Sequence, residues 1–301
     1  MAGSGQPRDP AANLAFKPLV PGMRWLLYAA AVLVLLAGFQ LFVFTERSDT
    51  FFAWTILNPL AAAFLGAAYW ASVAIEALAG RQLVWANARI AVPTVLVFTV
   101  LTLVASLLHL DKFHLGAAFA AGTRVVTWAW LAIYVLVPLL MVFVLIVQAR
   151  TPGSDPIRQA PLPRWVRAVL AGQAVVLLGV GVALFALPDQ ASEFWPWTLT
   201  PLLAQVTGAW LISLGVAAVH AQYERDARRL RPAAVGYLLL VVLQVIALAR
   251  YPALFAWGSA AGVSYVIVLG SMLVVGAAGL IIGAAARGPR AQEWTNPAPP
   301  E

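Results

Sequence analysis

Apolar residues in this chain fall in long unbroken runs, not at the alternating or every-third-and-fourth spacing of a half-buried strand or helix. Eight runs stand out, at 25–44, 57–79, 90–110, 125–147, 166–187, 199–220, 233–249 and 263–286, the seventh being the shortest. A helix needs about 20 mostly apolar residues to cross the ~30 Å hydrocarbon layer of a bilayer. No water is available there to bond backbone N–H and C=O groups, so each run is predicted to be a helix. The pattern predicts an all-α membrane protein of eight transmembrane helices. The first run is too long for a signal-peptide core and has no small-residue cleavage site before the loop at Thr45, so it is expected to be retained as a span.

An echo divides the chain. The stretch Phe52-Ala53-Trp54-Thr55-Ile56-Leu57-Asn58-Pro59-Leu60 returns about 140 residues later as Trp195-Pro196-Trp197-Thr198-Leu199-Thr200-Pro201-Leu202. Each copy is followed by a small pair, Gly66-Ala67 and Gly208-Ala209. With the Pro-rich stretch at 150–164 as the boundary, two parallel four-helix repeats are predicted, at 23–149 and 165–286. Disordered tails are expected at 1–22 and 287–301. In each copy the tryptophan (Trp54, Trp197) is expected at the membrane–water interface, the threonine (Thr55, Thr198) is expected to cap the next helix, and the proline (Pro59, Pro201) falls in or near its first turn. The Gly-Ala pair admits a close neighbour.

Composition and charge narrow the picture. Hydrophobic residues make up 62% of the chain and charged residues 10%, against roughly a quarter charged in soluble domains. The net charge of +7 would suggest nucleic acid until the cations are placed. Counting eight spans, one side holds Arg8, Lys17, Arg24, Arg81, Arg89, Arg150, Arg158, Arg164, Arg167, Arg225, Arg228, Arg229, Arg231, Arg287 and Arg290. The other side holds only Arg47, Lys112, Arg124 and Arg250. By the positive-inside rule both termini are expected in the cytoplasm, with the cations facing anionic lipid headgroups and no nucleic-acid partner. The absence of cysteine removes disulfides, thiolate metal sites and cysteine nucleophiles.

Polar residues inside the runs carry what chemistry there is. Gln40, Asn58, Gln205, Thr207 and Gln244, with Arg250 at a span end, fall in the middle or outer part of their helices. They read as interhelical packing bonds or as an outward-facing polar cleft between the halves. Glu76 is the one acid well inside a run; it is expected near the cytoplasmic end, solvated or paired with Arg81 rather than coupling protons. His109, Asp111 and His114 at the outer end of the third run could begin a metal site, but Lys112 among them disfavours a cation, and an ordinary polar helix end is preferred. The run 223–231 reads as a headgroup-facing loop. Gly276, Gly279 and Gly283 mark a close helix contact, within the bundle or between protomers. No Walker loop, Gly-x-Ser-x-Gly elbow or His-Glu-x-x-His helix occurs, and no lysine lies inside a run. No cofactor, catalytic or metal-binding residue is therefore assigned.

The order Trp197-Thr198-Leu199-x-Pro201-Leu202 then Gly208-Ala209-Trp210, with Leu107-Leu108-His109-Leu110-Asp111-Lys112-Phe113-His114 in the first half, resembles a set of uncharacterised multi-pass integral membrane proteins of GC-rich bacteria. The resemblance implies a bacterial inner-membrane location and brings no activity or functional residues. Three roles stay open: a transporter or permease-like protein for a small neutral or amphiphilic solute; a non-catalytic subunit or scaffold with a membrane-protein partner or a second copy of itself; and an outward-facing metal-dependent hydrolase using His109, Asp111 and His114.

Overall fold

A computed structural model describes residues 16–286; most of the expected N-terminal tail and all of the C-terminal one, with Arg8, Arg287 and Arg290, lie outside the described residues. Eight long helices run through it: α1 (Pro21–Val43), α2 (Pro59–Gly80), α3 (Ala91–Leu108), α4 (Ala121–Arg150), α5 (Arg164–Ala186), α6 (Pro201–Glu224), α7 (Arg231–Arg250) and α8 (Ala260–Ala285). Each corresponds to one apolar run, and all eight are long and apolar enough to cross a membrane. The end of the bundle where α1, α3, α5 and α7 begin is called basal here, and the opposite end distal.

The entries to α2 and α6 are built alike, with caps two to three residues later than the threonines suggest. Pro59 and Pro201 open their helices, where the missing N–H costs nothing. The cap is therefore the residue just before each proline. Asn58 Oδ1 accepts from the N–H groups of Leu60 (3.0 Å) and Ala61 (3.3 Å), and Thr200 Oγ1 accepts from that of Leu203 (3.4 Å). Thr55 and Thr198, the expected caps, do not fill that role.

Helix α1 packs along α2, and α5 along α6. The small pairs permit this: a Cβ at Gly66 would stand 2.5 Å from Phe42 N on α1, and one at Gly208 would stand 2.7 Å from Gly181 O on α5. The halves are not two separate bundles, however. Helix α2 also lies against α7, and α6 against α3, so each half lends one face of its second helix to the other; α3 pairs with α4 and α7 with α8. This makes α2 and α6 the most buried helices and explains why their mean hydropathy, 1.5 and 1.8, is lower than that of the other six. Small residues replace large aliphatics where protein, not lipid, is the neighbour. On α8, a Cβ at Gly276 would meet Ala234 O at 3.1 Å, and one at Gly279 would meet the Ala234 Cβ at 3.4 Å, so the glycine stripe faces α7 within the bundle.

The basal connections are ordered. Residues 16–20, expected as part of a disordered tail, are held by Lys17 N–H to Ser154 O (2.9 Å), Leu19 N–H to Leu83 O (2.8 Å) and Val20 N–H to Gln148 Oε1 (2.9 Å). The Pro-rich linker is tied to the α6–α7 loop, where Ala227 N–H donates to Ala160 O (2.7 Å) and Ala160 N–H to Asp226 Oδ2 (2.9 Å).

Candidate functional site

The polar residues of the expected cleft do not converge. Asn58 Nδ2 donates to Thr198 O across the halves (3.2 Å). Gln205 sits between the His109 ring (3.0 Å) and Phe185 O (3.0 Å). Gln244 Nε2 donates to Phe64 O (3.1 Å), while its Oε1 accepts from Tyr265 (3.0 Å). The Arg250 guanidinium donates to Phe42 O, at the end of α1, and lies over the Phe42 ring at 5.4 Å. Thr207 is fully buried with no partner for its hydroxyl among the described residues, and Gln40 is half-buried on α1. Four of the six are therefore struts that join one half to the other.

The repeated tryptophans are buried in protein. Trp54 is 2% exposed and Trp197 4%, and neither indole N–H has a partner among the described residues. Trp54 packs edge-on against Phe52 and Trp130, and Trp197 packs among Phe64, Trp195 and Tyr265. Stacked and edge-on ring pairs of this kind contribute about 0.5–1.5 kcal/mol each beyond the area they bury. The loop before α2 or α6 folds back over the distal end of the bundle, so its rings meet protein instead of headgroups.

The His109–His114 segment is likewise divided among partners. His109 faces Gln205. Asp111 is exposed and paired with Lys112 at 2.8 Å, a hydrogen bond that holds its pKa below the usual value. His114 is buried, with Nδ1 at 3.0 Å from Phe52 O and Nε2 at 2.9 Å from Thr55 Oγ1. A carbonyl can only accept, so Nδ1 carries the proton and the ring is a structural bridge. Among the described residues no group of three or more His, Cys, Asp or Glu is placed to hold a metal ion, which removes the geometric basis of the hydrolase reading.

Two cavities occupy equivalent places in the two halves. The larger, about 350 Å³, is walled by α5, α6, α7 and α8 together with Phe64 and Ala68 of α2, which crosses from the first half. Its wall is mainly aromatic and aliphatic, including Trp195, Trp210, Leu214 and Met272, with the Gln244–Tyr265 pair and Ser264 as its polar points. Gln173 Nε2 donates to Ser271 (2.8 Å) and pins α5 to α8 partway along their length. Distal to that bond, Val176, Val180 and Ser264 line the cavity and are also exposed on the outside of the bundle, so it borders the outer surface along this seam. Of the residues expected to form a site only Gln244 lies here. The others were hidden in the sequence because leucine, tryptophan and tyrosine in an apolar run look alike whether they face lipid, core or cavity.

The smaller cavity, about 70 Å³, is walled by α1–α4 together with Trp210 and Ser213 of α6. It holds Glu76. This residue is neither solvated nor paired with Arg81: it is 2% exposed, and Oε2 is buried without a partner among the described residues. Helix α2 is covered by α1 and α7, which leaves its basal turn no route to headgroups.

At the basal end lies an ion cluster that the run 223–231 conceals. Glu224 is fully buried and accepts from Arg89 Nη2 (2.9 Å), Arg229 Nη1 (2.9 Å) and His220 Nε2 (3.1 Å), while Arg89 Nη1 also meets Asp155 at 2.7 Å. Burial works against the charge on Arg89, but Glu224 and Asp155 outweigh it and hold its pKa above the usual value. Arg229 is buried, so the segment is partly an internal anchor and not solely a headgroup-facing loop.

Eight helices long and apolar enough to cross a membrane define a polytopic helical membrane protein, with two cavities between its helices and a charged cluster at its basal end. No protein-family model, curated protein or solved structure matches this chain.

Proposed function

We propose that the protein is a transporter or permease-like protein that takes a small neutral or amphiphilic molecule into the α5–α8 cavity. The observation that carries this reading is the cavity itself. Its volume of about 350 Å³ falls in the usual range for small-molecule sites, roughly 300–1,000 Å³, and its few polar points converge on an apolar wall as such sites commonly do. The seam between α5 and α8 offers entry from the bilayer, and the Gln244 amide beside the Tyr265 hydroxyl would orient a polar headgroup. Both termini are placed on the cytoplasmic side of a bacterial inner membrane, supported by the distribution of cations between the two ends. A duplicated four-helix unit is supported by the pairings: α1–α2 with α5–α6, α2–α7 with α6–α3, and α3–α4 with α7–α8.

The test is equilibrium binding of radiolabelled medium-chain alkanols to protein in liposomes, followed by uptake. Saturable binding above lipid partitioning is expected, weakened in Gln244→Leu and abolished in Ser264→Trp, which fills the cavity from its rim. Wild-type protein with no saturable component, or a filled variant that binds as well as wild type, would overturn the reading.

A further inference from the structure

We propose that the smaller cavity is a binding site for a small monocation of the ammonium class, with Glu76 as its counter-ion. It lies in the other half from the α5–α8 cavity and does not rest on the role assigned there. Glu76 combines three properties rarely found together in a structural residue. It lines a cavity, it is almost wholly buried, and one carboxylate oxygen lacks any partner among the described residues. Acidic side chains inside a membrane helix are costly and persist where they serve a pathway or a ligand. The Ser213 hydroxyl, contributed by α6, lines the same cavity and is also buried without a partner among the described residues. Two unsatisfied polar groups, one from each half, thus line one cavity.

Among the described residues no cationic side chain lines the cavity. The titratable groups that share the cavity with Glu76 are Tyr69 and Tyr134, joined hydroxyl to hydroxyl at 2.7 Å; α1, α3 and α6 bring none to it. The site's repeat counterpart on α6 is Ala218, so the carboxylate belongs to one half only.

The walls select the kind of cation. Phe98, Trp130 and Tyr134 present rings, and such faces attract an alkylammonium more readily than a strongly hydrated metal ion. A hard cation such as calcium takes about 6–8 oxygen ligands, often from several carboxylates, and this cavity has one. The hydroxyls of Ser72, Thr94 and Ser213 supply acceptors for an N–H donor; Thr94 donates to Ile90 O at 2.9 Å and keeps its lone pairs. Size sets the limit. At roughly 10–15 Å³ of such volume per water, the cavity holds about five water-sized groups. Ammonium and short primary alkylammonium ions fit; bulky quaternary ions do not.

The experiment is calorimetric titration of the purified full chain with methylammonium chloride, with sodium chloride and tetraethylammonium chloride at matched ionic strength as comparisons. Saturable binding of methylammonium alone is expected. Glu76→Gln, which keeps the shape, should weaken it by about tenfold or more, a loss of roughly 1.4 kcal/mol or greater. Thr94→Val, which removes one acceptor and keeps the volume, should weaken it several-fold, and it serves as the test should Glu76→Gln fail to fold. No saturable methylammonium binding, equal binding of sodium or tetraethylammonium, or unchanged affinity in both variants would overturn the assignment.

Discussion

Gly66 and Gly208 set how closely their helices approach, because the atoms opposite them are backbone and cannot rotate away. A methyl group at Gly208 would fall 2.7 Å from Gly181 O and 2.9 Å from Phe185 N. Gly208→Ala should therefore lower stability by about 1–3 kcal/mol, the usual cost of overpacking. Gly179→Ala on α5, where nothing lies within 4 Å, should be neutral or raise it by up to about 1 kcal/mol through helix propensity. Thermal unfolding of the two variants in one detergent checks both signs. The echoed tryptophans carry a related lesson. Sequence marked Trp54 and Trp197 as special, and the structure makes both of them ring-packing centres.

Among the elements, the basal connections do more than join helices. The linker, the α2–α3 connection and the end of α6 meet at Glu224, which is fully buried and ringed by Arg89, Arg229 and His220. Removing one partner of a buried pair leaves charge without compensation, a loss of roughly 3–5 kcal/mol. Arg89→Met is expected to destabilise by about 3 kcal/mol, the lower bound, because Arg229 still reaches Glu224. Chemical denaturation of Arg89→Met, Glu224→Gln and the double variant reads the coupling. A double variant no less stable than Arg89→Met alone would be the signature of a true pair, and simple additivity would deny it. Nothing in the apolar pattern pointed to this cluster, since its members lie on three connections far apart in the chain.

For the whole molecule, the exchange of α2 and α6 between halves is the organising feature. It gives each cavity a wall from the opposite half, so movement of one half against the other would reshape both. The orientation proposed from the cations can be tested directly because the chain has no cysteine of its own. Ile157→Cys, exposed at the basal end, and Gln190→Cys, exposed at the distal end, are to be labelled in intact cells with a membrane-impermeant maleimide. Labelling of Gln190→Cys alone is expected; labelling of Ile157→Cys alone would reverse the topology.

The number and limits of the spans could be read from the chain alone, because hydrocarbon thickness and backbone hydrogen bonding act on local composition, which is one-dimensional. The close-approach glycines and the proline helix starts were legible for the same reason. So, in retrospect, was the central place of α2 and α6, in their lower hydropathy. What only tertiary structure decided is which apolar faces meet lipid and which meet protein. In a membrane both faces are greasy, so periodicity carries no signal for burial. That is why Glu76, expected at the headgroups, lies buried beside a cavity, and why most of the polar residues expected to form a cleft became struts between halves. Partner identity depends on helices brought together from opposite ends of the chain, and for Gln244 and Glu224 the partner sets the chemistry.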